Sequence, residues 1–212
     1  MTILEIYEKY NIMPNLQLHQ LRVAAVAEQI CEASTTPVDK ESIVLACLLH
    51  DMGNIVKFDL DYFPQLLEPE GKEYWSKIQV EFIKKYGIDD HDANLKIAQE
   101  IGVSSVIVAH IDAIGFGFWD RTHKDGSLED KICAYADTRV SPFRVVSLEE
   151  RFEEGEKRYN GKNPVLDDKR HVFYDAMREI EKQIFSHTNL KPEEITDESI
   201  KNRIQKLKNL EI

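Results

Sequence analysis

The sequence predicts an all-α fold, a helical bundle with additional helices at its C-terminal end. Three observations carry this. Apolar residues recur at three- and four-residue steps through most of the chain, strand-like alternation is nearly absent, and capping residues precede the periodic stretches while glycines follow several of them. No internal repeat is present.

From Asn15 to Ala33, Leu16, His19, Val23, Val26, Ala27 and Ile30 share one face, so His19 looks inward. Asp39-x-x-Ser42 starts the next helix, on which Ile43, Ala46, Cys47 and His50 form a stripe, and Gly53 is expected to end it. Residues 54–90 are less regular. Phe58, Tyr62, Phe63, Tyr74 and Trp75 lie among prolines and acids before a helical stretch at 78–83. This segment reads either as a wall or lid or as an excursion packed on the core. A helix then runs from Asp92 to Ile101, closed by Gly102. Ser104-Ser105 caps another, with Ile107, His110, Ile111 and Ile114 on one face. Gly115–Trp119 reads as a loop, Leu128–Val140 as a helix, and the charged stretch Gly155–Asp168 as a hairpin or linker. Helices over Arg170–Phe185 and Asp197–Leu210 complete the chain. The preferred layout is one domain over residues 1–190, with a peripheral amphipathic helix over 191–212.

The chain has 212 residues, enough for a sizeable core. A formal charge of -11 disfavours a sequence-independent nucleic-acid binder or a membrane-surface protein, both of which need a basic face. A small phosphorylated substrate stays compatible, because a metal can supply positive charge locally. Cys31, Cys47 and Cys133 lie in apolar stretches with no C-x-x-C spacing and read as free buried thiols, as in a reducing, cytoplasmic setting. Neither a leader segment nor a membrane-spanning run is apparent.

His50-Asp51 closes the apolar run 43–49. An imidazole and a carboxylate at the end of a buried helix are costly to desolvate unless something binds them, and both are good ligands for divalent cations. His19, His91, His110 and Asp137 add further potential ligands on inward faces, and one shared metal centre would satisfy them together. His123, His171 and His187 fall in polar contexts and are expected at the surface.

The order His19, His50-Asp51, Asp137 resembles that of the HD superfamily of metal-dependent phosphohydrolases. The likeness covers about residues 15–150. It includes Leu48-Leu49-His50-Asp51-Met52-Gly53 and Lys131-Ile132-Cys133-Ala134-Tyr135-Ala136-Asp137-Thr138-Arg139. It implies the HD-domain helical bundle and a ligand set of His19, His50, Asp51 and Asp137. His91 and His110 fall where two-metal subgroups carry further histidines. The alternative is a one-metal site with these two lining the pocket. Many members have lysine after the glycine, where this chain has Asn54, and Lys57 is a candidate substitute. The Gly-Tyr-Pro signature of cyclic-dinucleotide phosphodiesterases is absent after His110.

Imidazole and carboxylate donors suit one or two ions of Mn, Fe, Co, Ni or Zn better than Mg or Ca. Asp51 reads as the catalytic residue, bridging two ions. Such a pair lowers the pKa of a water and clamps a phosphate oxygen. Lys57, Arg139 and Arg144 are the cations nearest the ligands in sequence, hence candidate substrate contacts, with surface or ion-pairing roles as the competing reading. Asp112 is a candidate to orient a ligand or take a leaving-group proton. The expected function is hydrolysis of a small phosphomonoester, nucleotide or phosphodiester. The alternatives are a di-iron oxygenase resembling the myo-inositol oxygenase group and a non-catalytic nucleotide-sensing domain.

Overall fold

The computed structural model describes residues 1–62, 64–159, 161 and 164–212. Its helices are α1 (Ile3–Lys9), α2 (Pro14–Ala33), α3 (Lys40–Leu49), α4 (Lys72–Tyr86), α5 (Asp90–Ile101), α6 (Ser105–Ile114), α7 (Trp119–Asp125), α8 (Leu128–Thr138), α9 (Leu148–Tyr159), α10 (Pro164–Phe185) and α11 (Asp197–Leu207). Among the described residues, extended pairing is limited to three isolated bridges, Thr2 with Glu211, Ser34 with Thr188 and Val140 with Val145.

The centre of the bundle is α3. Every residue from Ser42 to Leu49 is buried, because α2, α6 and α8 all pack around it. Burying each large aliphatic side chain there contributes about 1.5–3 kcal/mol. The first turn is organised by Asp39, whose carboxylate accepts the Ser42 N–H at 3.2 Å. Local capping starts other helices as well. Pro14 opens α2, Asp89 caps α5, Ser104 caps α6, and Ser127 with Asp130 forms a reciprocal capping box on α8. Gly102 takes the left-handed conformation at φ 91°, which closes α5 without the steric penalty that a Cβ would bring.

Gly53 does not cap α3. The helix ends at Leu49, and Gly53 has φ -98°, an ordinary conformation for any residue. Its need for glycine is steric. A Cβ there would lie 2.6 Å from Ala93 Cβ and 2.9 Å from the Ala93 carbonyl carbon and the Asn94 nitrogen. The turn after His50-Asp51 is thus pressed against the first turn of α5.

The segment after Gly53 is more helical than its sequence indicates. Short 3₁₀ turns at Asn54–Lys57 and Pro64–Leu67 precede α4, which begins at Lys72 rather than at residue 78. Trp75, Ile78, Phe82 and Tyr86 form the buried face of α4. Gln79 Nε2 donates to the Ile55 and Phe58 carbonyls at 2.8 and 2.9 Å, so the first turn is tied to α4. Phe63 lies outside the described residues.

Two further expectations are corrected. Within Gly155–Asp168, residues 155–159 extend α9 and 164–168 begin α10, while 160, 162 and 163 lie outside the described residues. Here high charge marks exposed helix faces, since both helices are amphipathic. The expected 115–119 loop instead holds a 3₁₀ turn and the start of α7. At the C-terminal end α11 lies along α2, burying Ile200, Ile204 and Leu207, with Arg203 Nη2 2.5 Å from Glu32. Among the described residues no helix is long and apolar enough to cross a membrane. Cys31, Cys47 and Cys133 are free and buried.

Candidate metal centre

Three helices bring four donors to one place. His19 comes from the inward face of α2, His50-Asp51 from the C-terminal end of α3, and Asp137 from the last turn of α8. His19 Nε2, His50 Nε2 and a carboxylate oxygen of Asp51 all lie within 4.8 Å of one another. Asp51 Oδ2 is 3.6 Å from His19 Nε2 and 3.5 Å from His50 Nε2. Asp137 Oδ1 is 3.1 and 3.2 Å from the same two nitrogens.

Neighbouring groups set the orientation. His50 Nδ1–H donates to the Cys47 carbonyl at 2.8 Å, which aims Nε2 at the carboxylates. The Asp51 N–H donates to Gln20 Oε1 at 3.3 Å, and Gln20 is fully buried beside His19. Electrostatics are strongly coupled here. Burial alone would lower the His50 pKa. The carboxylates of Asp51 and Asp137 and the hydrogen bond to Cys47 outweigh it and raise the value to about 10. Burial alone would raise Asp137, yet the facing His50 and His19 hold its carboxyl well below the usual range. Two imidazoles and two carboxylates brought together offer a donor set that a divalent metal ion could use. The residues fit such an ion.

His91 and His110 stand apart from this group, each with its own carboxylate. His91 Nε2 is 2.8 Å from Asp112 Oδ1, and His110 Nδ1 is 2.7 Å from Asp130 Oδ1. Burial would raise both acids, but these hydrogen bonds, with Arg121 on Asp112 and the Ser127 groups on Asp130, hold them below the ordinary value. His110 is the more buried, and its tie through Nδ1 is the arrangement in which Nε2 serves as a ligand. His91 lies one turn before Asn94, whose Oδ1 accepts the Gly53 N–H at 2.5 Å. The close approach of Gly53 therefore packs the turn after His50-Asp51 against the first turn of α5, which also carries His91.

The expected cationic contacts divide. Lys57 Nζ meets Asp90 at 2.6 Å near the start of α5. Arg144 is exposed and pairs with Glu150 at 2.9 Å. Arg139 is only 3% exposed, and its guanidinium donates to the Val146, Pro192 and Ile195 carbonyls and to the Tyr135 hydroxyl. These contacts tie α8 to the 192–195 turn. Asn54 is buried, accepting from Asn94 Nδ2 at 3.4 Å.

Sequence reasoning missed Asp130, Gln20 and Arg121. The Ser127-x-x-Asp130 spacing announces a capping box, but its second role toward His110 depends on how α6 meets α8. Gln20 was legible only as a polar residue next to an inward histidine.

A profile of the HD domain family matches residues 17–139, more than half of the chain and all four converging donors. The chain belongs to the HD domain family. Neither a curated protein nor a solved structure matched it. HD domains bind divalent metals, and in this one His19, His50, Asp51 and Asp137 form a cluster compatible with that chemistry.

Proposed function

We propose that this HD domain is a metal-dependent phosphohydrolase acting on a small phosphomonoester, nucleotide or phosphodiester. One observation carries the reading. The donors that the family motif singles out, drawn from α2, α3 and α8, converge, with the carboxylates of Asp51 and Asp137 3.1–3.6 Å from the Nε2 atoms of His19 and His50. His19, His50, Asp51 and Asp137 would hold a first ion, and Asp51, His91 and His110 are the proposed ligands of a second.

A divalent cation in this position supplies the charge that acidifies a water and neutralises phosphate oxygens. The chain's own residues do the rest. Cys47 fixes the tautomer of His50, Gln20 holds the backbone of Asp51, and Asp112 and Asp130 orient His91 and His110. Positioning and electrostatics are the main requirements of phosphoryl transfer, so rigid placement on packed helices is what the reaction needs from the fold.

The test is metal analysis together with phosphate release over a panel of phosphomonoesters, nucleotides and phosphodiesters. Activity in wild type and its loss with metal content in His50→Ala supports the proposal. Two irons with oxygen consumption on a polyol or phosphonate would replace it with an oxygenase. Tight nucleotide binding with no phosphate release under Mn, Fe, Co, Ni or Zn would replace it with a sensing role.

A further inference from the structure

We propose that Arg121, on the first turn of α7, binds the anionic group of the substrate at this site. The proposal rests on the phosphohydrolase reading above and names the residue that would recognise phosphate. A chain of formal charge -11 needs a local cation for a phosphate to approach. The cations nearest the ligands in sequence are engaged elsewhere. Lys57 pairs with Asp90 at the start of α5, Arg139 is buried against carbonyls, and Arg144 pairs with Glu150.

Arg121 is distant from the proposed ligands in sequence but is joined in space to one of them, His91, through Asp112. Its Nη2 donates to Asp112 Oδ2 at 2.9 Å, while Asp112 Oδ1 meets His91 Nε2 at 2.8 Å. Its guanidinium carbon lies 4.6 Å from the centre of the Phe118 ring, and that ring lies 4.9 Å from the His91 ring. Contacts thus run from Arg121 through Asp112 to His91, which lies on the turn of α5 that Gly53 packs against.

The geometry suits anion capture. Asp112 holds one corner of the guanidinium and Phe118 supports one face, yet the side chain is 53% exposed. A guanidinium has five N–H donors in a planar fork, and a single contact to Asp112 leaves capacity for two phosphate oxygens. A carboxylate and an aromatic ring restrict its rotamers before the ligand arrives, which reduces the ordering cost of binding. A lysine here would keep the charge but lose the fork and the ring contact.

The experiment titrates inorganic phosphate into metal-loaded wild type, Arg121→Gln, Arg121→Lys and Lys124→Gln. Lys124 is the charge control, since it is exposed on the same helix and pairs with Asp120. Metal content, melting temperature and phosphate release from p-nitrophenyl phosphate are recorded on each sample. The proposal expects Arg121→Gln to weaken phosphate binding about tenfold or more. Arg121→Lys should recover part of this, Lys124→Gln should match wild type, and metal content should be equal throughout. Wild-type phosphate affinity in Arg121→Gln would overturn the inference alone, with the hydrolytic reading intact if phosphate is still released. Loss of metal in Arg121→Gln would reassign the residue to positioning His91 and also overturn it. A wild type that neither binds nor releases phosphate with any ion overturns both.

Discussion

Gly53 and Ala93 approach so closely that a methyl group on the glycine would sit 2.6 Å from the alanine Cβ. This contact joins the turn after His50-Asp51 to the first turn of α5, the turn that carries His91. Gly53→Ala should therefore cost about 1–3 kcal/mol through overpacking. Ala93→Gly in the same chain should recover only part of that, because the α5 backbone is also within 2.9 Å. Thermal melts of the two single variants and the double variant would show it. Full recovery would place the whole clash on the Ala93 methyl.

Metal stoichiometry separates the donors. His50→Ala should abolish bound metal, since it removes one of four converging ligands and the charge partner of Asp137. His91→Ala and His110→Ala should each lower the content from two equivalents toward one. Elemental analysis after desalting reads this directly. Full content and full rate in His91→Ala would reduce the site to one ion.

Metal affinity should rise with pH. In the metal-free protein His50 titrates at about 10, so at pH 7 it is protonated and an ion must displace that proton. Apparent affinity should climb about tenfold per pH unit for each proton released. Calorimetry in buffers of different ionisation enthalpy would count the protons. A pH-independent constant between pH 6 and 8 would contradict the coupling.

Stability of the metal-free protein should show the opposite trend on the alkaline side. His50 is raised from its ordinary 6.5, so its contribution is complete below about 6.5 and is lost as pH rises through about 10. Asp137 is lowered from its ordinary 3.8, so its contribution is present above that value and is lost as pH falls through its depressed folded value. Urea midpoints across pH 3 to 10 would trace both limbs, and a saturating ion should flatten the alkaline one.

Arg139 should behave as a structural residue. Arg139→Ala removes the guanidinium donor from the Val146, Pro192 and Ile195 carbonyls, of which Pro192 keeps the Ile195 N–H, and should cost about 2–4 kcal/mol. Metal content of the folded fraction should be unchanged. Denaturant midpoints with metal analysis would check it. A stable variant with a raised KM would restore a substrate role.

Much of the bundle was legible because its helices carry their own signals. Asp39, Ser104 and Gly102 mark boundaries through local hydrogen bonds and backbone preference, and these act within a turn of the chain. Residues 115–119 and the described part of 155–168 were misread, because glycine and charge there accompany short helical turns and exposed helix faces rather than an absence of helix. Similarly, Gly53 looked like a helix terminator, a role a glycine suggests from sequence alone, whereas its neighbour is 40 residues away.

Helical periodicity offered His19, His50 with Asp51, His91, His110 and Asp137 alike as inward candidates, and the resemblance to the HD superfamily singled out His19, His50, Asp51 and Asp137. Which carboxylate meets which imidazole was decided by helix packing. The same holds for Arg139, drawn inward by the 192–195 turn, and for Arg121, brought beside His91 through Asp112. Local pattern reports the direction in which a side chain leaves its own helix. Its partner depends on the approach and rotation of another helix, which is set by packing over the whole core.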